Sequence, residues 1–284
     1  MPARFVALTI ALIAALLFCS PLTLAQQIVR QPGAVYDGDK PGETFGPPPR
    51  RDFSGTWEPA KGAGDAIQAN GAKAMPSDGK PEHELPYTPA GRAAFLANKP
   101  TFGTTMVPSA FSNDPMPGCD PQGFPRVHLH NFRTMQIVQT AHQVLTLYEF
   151  NKKWRVIWTD RDMPKTFEEP RWWGYSVGRW VDDYTLVAQS AGFDDRTWLD
   201  NAGRPHSDAL RVEERYHRVD SDHVELTITV DDPTYYTRPW VALDKLPLRL
   251  QPRSLEIHEM ECAPSETAKY NRLFGNPAAG VEAK

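Results

Sequence analysis

Beyond its first twenty-five residues the chain has no apolar run long enough to cross a bilayer, which takes roughly 20 residues. It has no block of Lys or Arg either. The first absence predicts no transmembrane segment in the mature chain. The second, with a net charge of −4 and interspersed signs, argues against nucleic acid as a partner. Cysteine is scarce, three in 284 residues, and no Cys-x-x-Cys or zinc-protease helix motif occurs. Phosphate loops and dinucleotide fingerprints are missing, and neither GYSVGRW nor SAGFDD has the spacing of a G-x-S-x-G nucleophile elbow. A cofactor-dependent enzyme is therefore not expected, and no cofactor is assigned.

What is present begins with Arg4, an apolar run from Phe5 to Phe18, Pro21, and a polar break ending at Ala25. That pattern predicts a secretory signal peptide over residues 1–25 and a periplasmic or secreted mature chain of 259 residues, 284 minus 25. Cleavage leaves Cys119 and Cys262, predicted to form one disulfide in a compartment where such bonds persist. Eight Trp, nine Tyr and thirteen Phe beside 27 Pro and 19 Gly fit an all-β protein rich in turns.

Residues 26–51 read as a Pro/Gly-rich arm, 52–262 as the folded domain with an insertion over 60–126, and 263–284 as a tail. Within the insertion, 60–87 reads as mobile. Thr88 and Pro89 are the N-cap and first residue of one short helix, AGRAAFLANK. After a first strand at Asp52 to Pro59, strands are expected over 134–140, 144–150, 153–159, 173–181, 184–191, 209–219, 223–231, 236–243 and 255–262. Most are joined by turns of two to four residues, which force antiparallel neighbours. Leu210, Val212 and Tyr216 alternate with Arg211, Glu213, Arg215 and His217, and Val224, Leu226, Ile228 and Val230 alternate with polar residues. The expected fold is an antiparallel up-and-down β-barrel of about 8–10 strands, since closure removes exposed edges.

Gly55 and Trp57 in DFSGTWEP resemble the G-x-W opening of the lipocalins, which implies a binding cavity in the barrel mouth. The segments SVGRW, GFDDRTWLD, GRPHSDALRVEERY and DDPTYYTRPW resemble a family of secreted bacterial proteins. That likeness covers roughly 52–262 and implies a barrel-like fold and export, and no catalytic residues carry over from it. The chain departs from lipocalins in its length and in one long polar loop, Gly192 to Asp208.

That loop supplies the candidate chemistry. His206 near Asp200 and Asp195 could be held in one tautomer and act as a general acid or base, although Asp-rich loops also satisfy their own backbone through Asx-turns. Trp172, Trp173, Trp198, Arg215 and Tyr236 are the candidate ligand contacts, with core packing as the alternative for the aromatics. His128 and His130 form an H-x-H pair that lacks a recognisable third ligand, Glu149 and His258 being the nearest candidates, so no metal site is assigned. Glu256, His258, Glu259 and Glu261 fall on the expected last strand, with Arg215 or Arg179 as partners for any acid that is buried. The leading expectation is an exported barrel binding a small apolar or aromatic molecule. The alternatives are a cofactor-free isomerase, lyase or hydrolase using His206, and an envelope interaction module.

Overall fold

The computed structural model describes residues 38–61, 67–130 and 132–281. The expected signal peptide and the first part of the arm lie outside them. Nine strands follow in chain order: β1 Gly55–Pro59, β2 Met135–Gln139, β3 Gln143–Tyr148, β4 Trp154–Trp158, β5 Tyr175–Trp180, β6 Thr185–Ala191, β7 Arg211–Arg218, β8 His223–Asp231 and β9 Trp240–Leu250. They close into a barrel in that same order, β9 pairing with β1. The expected all-β barrel is the observed fold.

One pairing departs from up-and-down. β4 and β5 run parallel, with Ile157 opposite Ser176. A closed ring with an odd number of strands cannot alternate direction all the way round, so at least one parallel pair is obligatory. The crossover 159–174 runs back along the barrel to provide it. As a result the connections 60–134, 192–210 and 232–239 all gather at one end, while the other carries the tight turns 140–142, 181–184 and 219–222.

Two further expectations change. The segment 255–262 is not a barrel strand and touches the sheet's neighbourhood through a bridge between Phe150 and Met260. The closing strand is β9, which runs through Pro247. Proline lacks the N–H of a central ladder and reads as a strand breaker. Here its carbonyl accepts from Ala60 N at 2.9 Å, and a register shift between Leu226 and Ile228 absorbs the irregularity. His258 and the neighbouring acids therefore have no inward and outward faces. His258 Nδ1 lies 3.8 Å from Glu149, Glu259 pairs with Lys152, and Arg179 pairs with Asp162. Residues 67–87, expected to be mobile, are packed: Ala72 and Leu85 are buried in the core.

The expected helix is α1, Pro89–Ala97, where Thr88 Oγ1 accepts from Gly91 N at 3.0 Å. Gly91 is required, because a Cβ there would stand 2.1 Å from the Tyr235 carbonyl oxygen. A four-residue helix, α2 (Arg126–Leu129), is buried throughout, and α3 (Pro264–Tyr270) opens the C-terminal segment. Cys119 and Cys262 are bonded, tying the insertion to the chain leaving the barrel. Among the described residues no helix is long and apolar enough to cross a membrane.

Candidate functional site

Strand alternation decides what fills the barrel. On β7, Val212, Glu214, Tyr216 and Arg218 are buried while Arg211, Glu213, Arg215 and His217 face out. Glu214 is fully buried and takes a charge-assisted bond from Arg155 Nη2 at 2.5 Å and another from the Tyr216 hydroxyl at 2.7 Å. His128, from α2, brings Nδ1 within 3.7 Å of the same carboxylate, its ring edge-on to Phe124, Phe132 and Tyr148. Burial, helped by the Arg155 charge, holds His128 neutral, its pKa well below the ordinary value. The Arg155 guanidinium lies 3.9 Å from the centre of the Phe124 ring. Burial also pushes the Tyr148 phenol up to about 12, so it stays protonated.

Beyond this polar layer, only narrow interstitial space remains between Phe53, Ile137, Val144, Ile157 and Leu186, under Thr146 and Tyr216. It is nowhere wide enough to seat a water molecule. The chain's own side chains fill this part of the interior, leaving no preformed space for a ligand.

The polar groups of the 192–208 loop bond largely within the loop and to the insertion. His206 is buried, accepts a 2.8 Å bond at Nε2 from Thr197 Oγ1, and donates from Nδ1 to the Ser207 carbonyl at 3.1 Å. Both ring nitrogens are occupied by neutral partners, and burial lowers its pKa. Asp200 orients Arg204 rather than His206. Its Oδ1 accepts from Ala202 N at 3.0 Å and from Arg204 N at 3.3 Å, and its Oδ2 accepts from Ala72 N at 2.9 Å and Arg204 Nη1 at 3.2 Å. Asn201 bridges to Gly71 N and the Ala69 carbonyl, and Arg204 Nη1 also donates to the Met75 carbonyl. The loop is thus laced to residues 68–77. Asp195 is exposed beside a surface groove lined by Phe167, Asp194, Arg196 and Asp208.

The other candidates scatter. Trp172 lies under the Arg196 guanidinium, and Trp173 stacks on Tyr148 with ring centres 5.5 Å apart. Trp198 is buried against Arg126, and the Tyr236 hydroxyl donates to the Pro205 carbonyl at 2.8 Å. Arg215 stands on the outer face, lining a shallow concavity with His217, Glu225 and Lys245. His128 and His130, expected side by side, sit on α2 and its C-terminal cap in separate surroundings: His128 meets Glu214, whereas His130 lies in the field of Arg126, Asp114 and Arg133.

A pocket of about 300 Å³ opens where the insertion meets the 192–208 loop. Leu85, Tyr87 and Phe95 give it an apolar and aromatic wall, and Ser77, Lys80, His83, Glu84, Arg92, Thr104 and Arg204 supply polar groups, with Arg92 3.5 Å from Glu84 and Lys80 3.6 Å from Asp78. Tyr87 and Phe95 stack with ring centres 5.3 Å apart, and Arg92 lies over both rings. The Arg204 side chain is only 3% exposed, fixed by Asp200 and resting over Trp240, so a guanidinium is presented in one orientation. Burial raises the Tyr87 phenol pKa, with Arg204 beside it pulling the other way. His83 Nδ1 lies 3.0 Å from each oxygen of Asp78, which Lys80 N also approaches at 3.2 Å. Those bonds, that from His83 foremost, lower the Asp78 pKa.

The chain matches no known family, characterised protein or solved structure. The pocket must be judged on its own chemistry. Its Arg204 falls inside the 192–208 loop, between the candidates Asp200 and His206. Asp78 and His83 fell in SDGKPEH, a stretch whose Gly and Pro content reads as linker, and no periodicity marks the fold that brings them to the barrel mouth.

Proposed function

We propose that the protein binds a small molecule in the pocket at the barrel mouth, and that the molecule carries an anionic group attached to a ring or other apolar body. The observation that carries this reading is the Arg204 guanidinium, nearly buried and pre-oriented by Asp200, beside the aromatic wall of Tyr87 and Phe95. A fixed guanidinium loses little freedom on forming a bidentate contact with a carboxylate or phosphate. Stacked rings add apolar area at small entropic cost. A pocket of about 300 Å³ is at the small end of ordinary ligand sites, which suits a compact ligand. Export belongs to the same proposal, and the Cys119–Cys262 bond supports it, since such bonds persist in oxidising compartments.

Calorimetric titration with 2-naphthoate and with its uncharged amide tests the charge requirement. The expected outcome is saturable binding of the acid, at least about ten-fold weaker for the amide, a difference of roughly 1.4 kcal/mol. Arg92→Ala weakens the acid by a similar factor. Equal affinity for acid and amide, unchanged in Arg92→Ala, would contradict the reading.

A further inference from the structure

Resting on that reading, we propose that the mouth pocket is a hydrolytic site in which His83 activates water against an ester of a small anionic acid. The geometry of one pair of residues carries it. A carboxylate can only accept, so the 3.0 Å contacts to Asp78 place the proton of a neutral imidazole on Nδ1. Nε2 is then the unprotonated nitrogen, and it makes no hydrogen bond among the described residues. Asp78 is itself pinned by Lys80 N, so the imidazole is held in one tautomer and one orientation. This is the arrangement in which a carboxylate positions a general base. His206, by contrast, has both nitrogens occupied.

The surroundings select the reaction class. The pocket is open to solvent, so water is available as a reactant, and among the described residues no nucleophilic side chain is hydrogen-bonded to His83. In the forward step Nε2 takes a proton from water as its oxygen adds to the ester carbonyl carbon. The carbonyl π pair moves to oxygen. Collapse re-forms the carbonyl and breaks the bond to the leaving oxygen, which takes the proton back from His83. Ester and water become acid and alcohol with no change of oxidation state. Arg204 and Arg92 are the groups for the substrate's own anion, Arg92 turning to it from Glu84 3.5 Å away, and Tyr87 and Phe95 hold its apolar part.

The test uses the full mature chain with mono-4-nitrophenyl succinate and mono-4-nitrophenyl phthalate, following release of 4-nitrophenolate. His83→Gln is expected to lower kcat by about 10²-fold with KM within about two-fold. Asp78 is a positioning residue. Asp78→Asn is expected to lower kcat comparably and to shift the acid limb of the pH–rate profile, a limb that disappears in His83→Gln. Arg92→Ala raises KM at nearly constant kcat. Thermal unfolding and near-ultraviolet dichroism of each variant separate loss of chemistry from loss of fold. Hydrolysis no faster than in His83→Gln, with 2-naphthoate still bound, overturns the hydrolytic site and leaves the binding reading standing. Absence of both binding and turnover removes the two together.

Discussion

Glu214 and Arg155 are an ion pair that the barrel cannot leave half made. Each is almost fully buried, and their 2.5 Å contact lies in the middle of the interior. Removing one partner leaves an uncompensated charge, at a cost of about 3–5 kcal/mol. Glu214→Gln is thus expected to destabilise by that amount in urea unfolding, while Arg155→Met with Glu214→Leu recovers most of the loss. A single-variant loss below about 1 kcal/mol would show that the pair is not isolated from solvent. This pair was half legible in the sequence. Alternation on β7 placed Val212 and Tyr216 inward, and Glu214 falls between them at the same parity, so the pattern held a buried acid in plain view. Its partner was not legible, because Arg155 reaches it from β4, across the barrel interior rather than along a neighbouring strand. His206 and Asp200 show the converse. Their residue types suggested chemistry, yet backbone groups of the same loop and of residues 68–77 satisfy them first.

At the scale of elements, the central meander was legible and the closure was not. Strands β2 to β8 fall close to the segments that apolar alternation and short turns marked out. The closing stretch depended on long-range partners. β9 runs through a proline that local rules reject, and 255–262 carries an alternating pattern with no free edge to pair with. What anchors the latter segment is covalent: the Cys119–Cys262 bond, together with Cys262 N donating to Asn151 Oδ1 at 2.6 Å. Its chain separation of 143 residues makes the bond worth roughly 4–5 kcal/mol in the chain-entropy view. Cys262→Ser is expected to lower unfolding free energy by about 2–5 kcal/mol, measured by denaturant titration. It should leave the mouth pocket intact, since no residue of 251–262 lines it. Loss of 2-naphthoate binding in that variant would mean that the segment supports the pocket as well as the fold.

For the whole molecule, two sets of histidines respond oppositely to pH. Burial holds His128, His130 and His206 neutral, His130 down to about 3. The unfolded chain protonates these imidazoles below about 6.5, so their contribution is complete above that pH and is lost as pH falls. At the short-turn end, burial would depress His223 too, but bonds to Asp39 and Asp220 outweigh it and raise its pKa. Its contribution is present below about 6.5 and fades as pH rises through the raised value. Three groups against one predict a net fall in Tm between pH 6.5 and 5, a range chosen to lie above most carboxylate titration. His130→Gln should flatten the dependence by up to about 1.4 kcal/mol per pH unit, one proton's worth. A flat or rising Tm on acidification would contradict the neutral assignments.

This division between a clamped end and an elaborated end also underlies the proposed site. The arm bonds the short-turn side through Arg249 with Glu43 and through Arg50 with Asp183. The insertion and the 192–208 loop interlock at the other end and leave the pocket between them. The most direct test of that placement is backbone amide shift mapping of the isotope-labelled protein during titration with 2-naphthoate. Saturating shifts confined to residues around Ser77, His83, Arg92 and Arg204 are predicted. Shifts centred instead on a groove that Gln189, Arg211 and Asp231 line on the outer wall, or on the barrel interior around Tyr216, would contradict a binding site at the mouth.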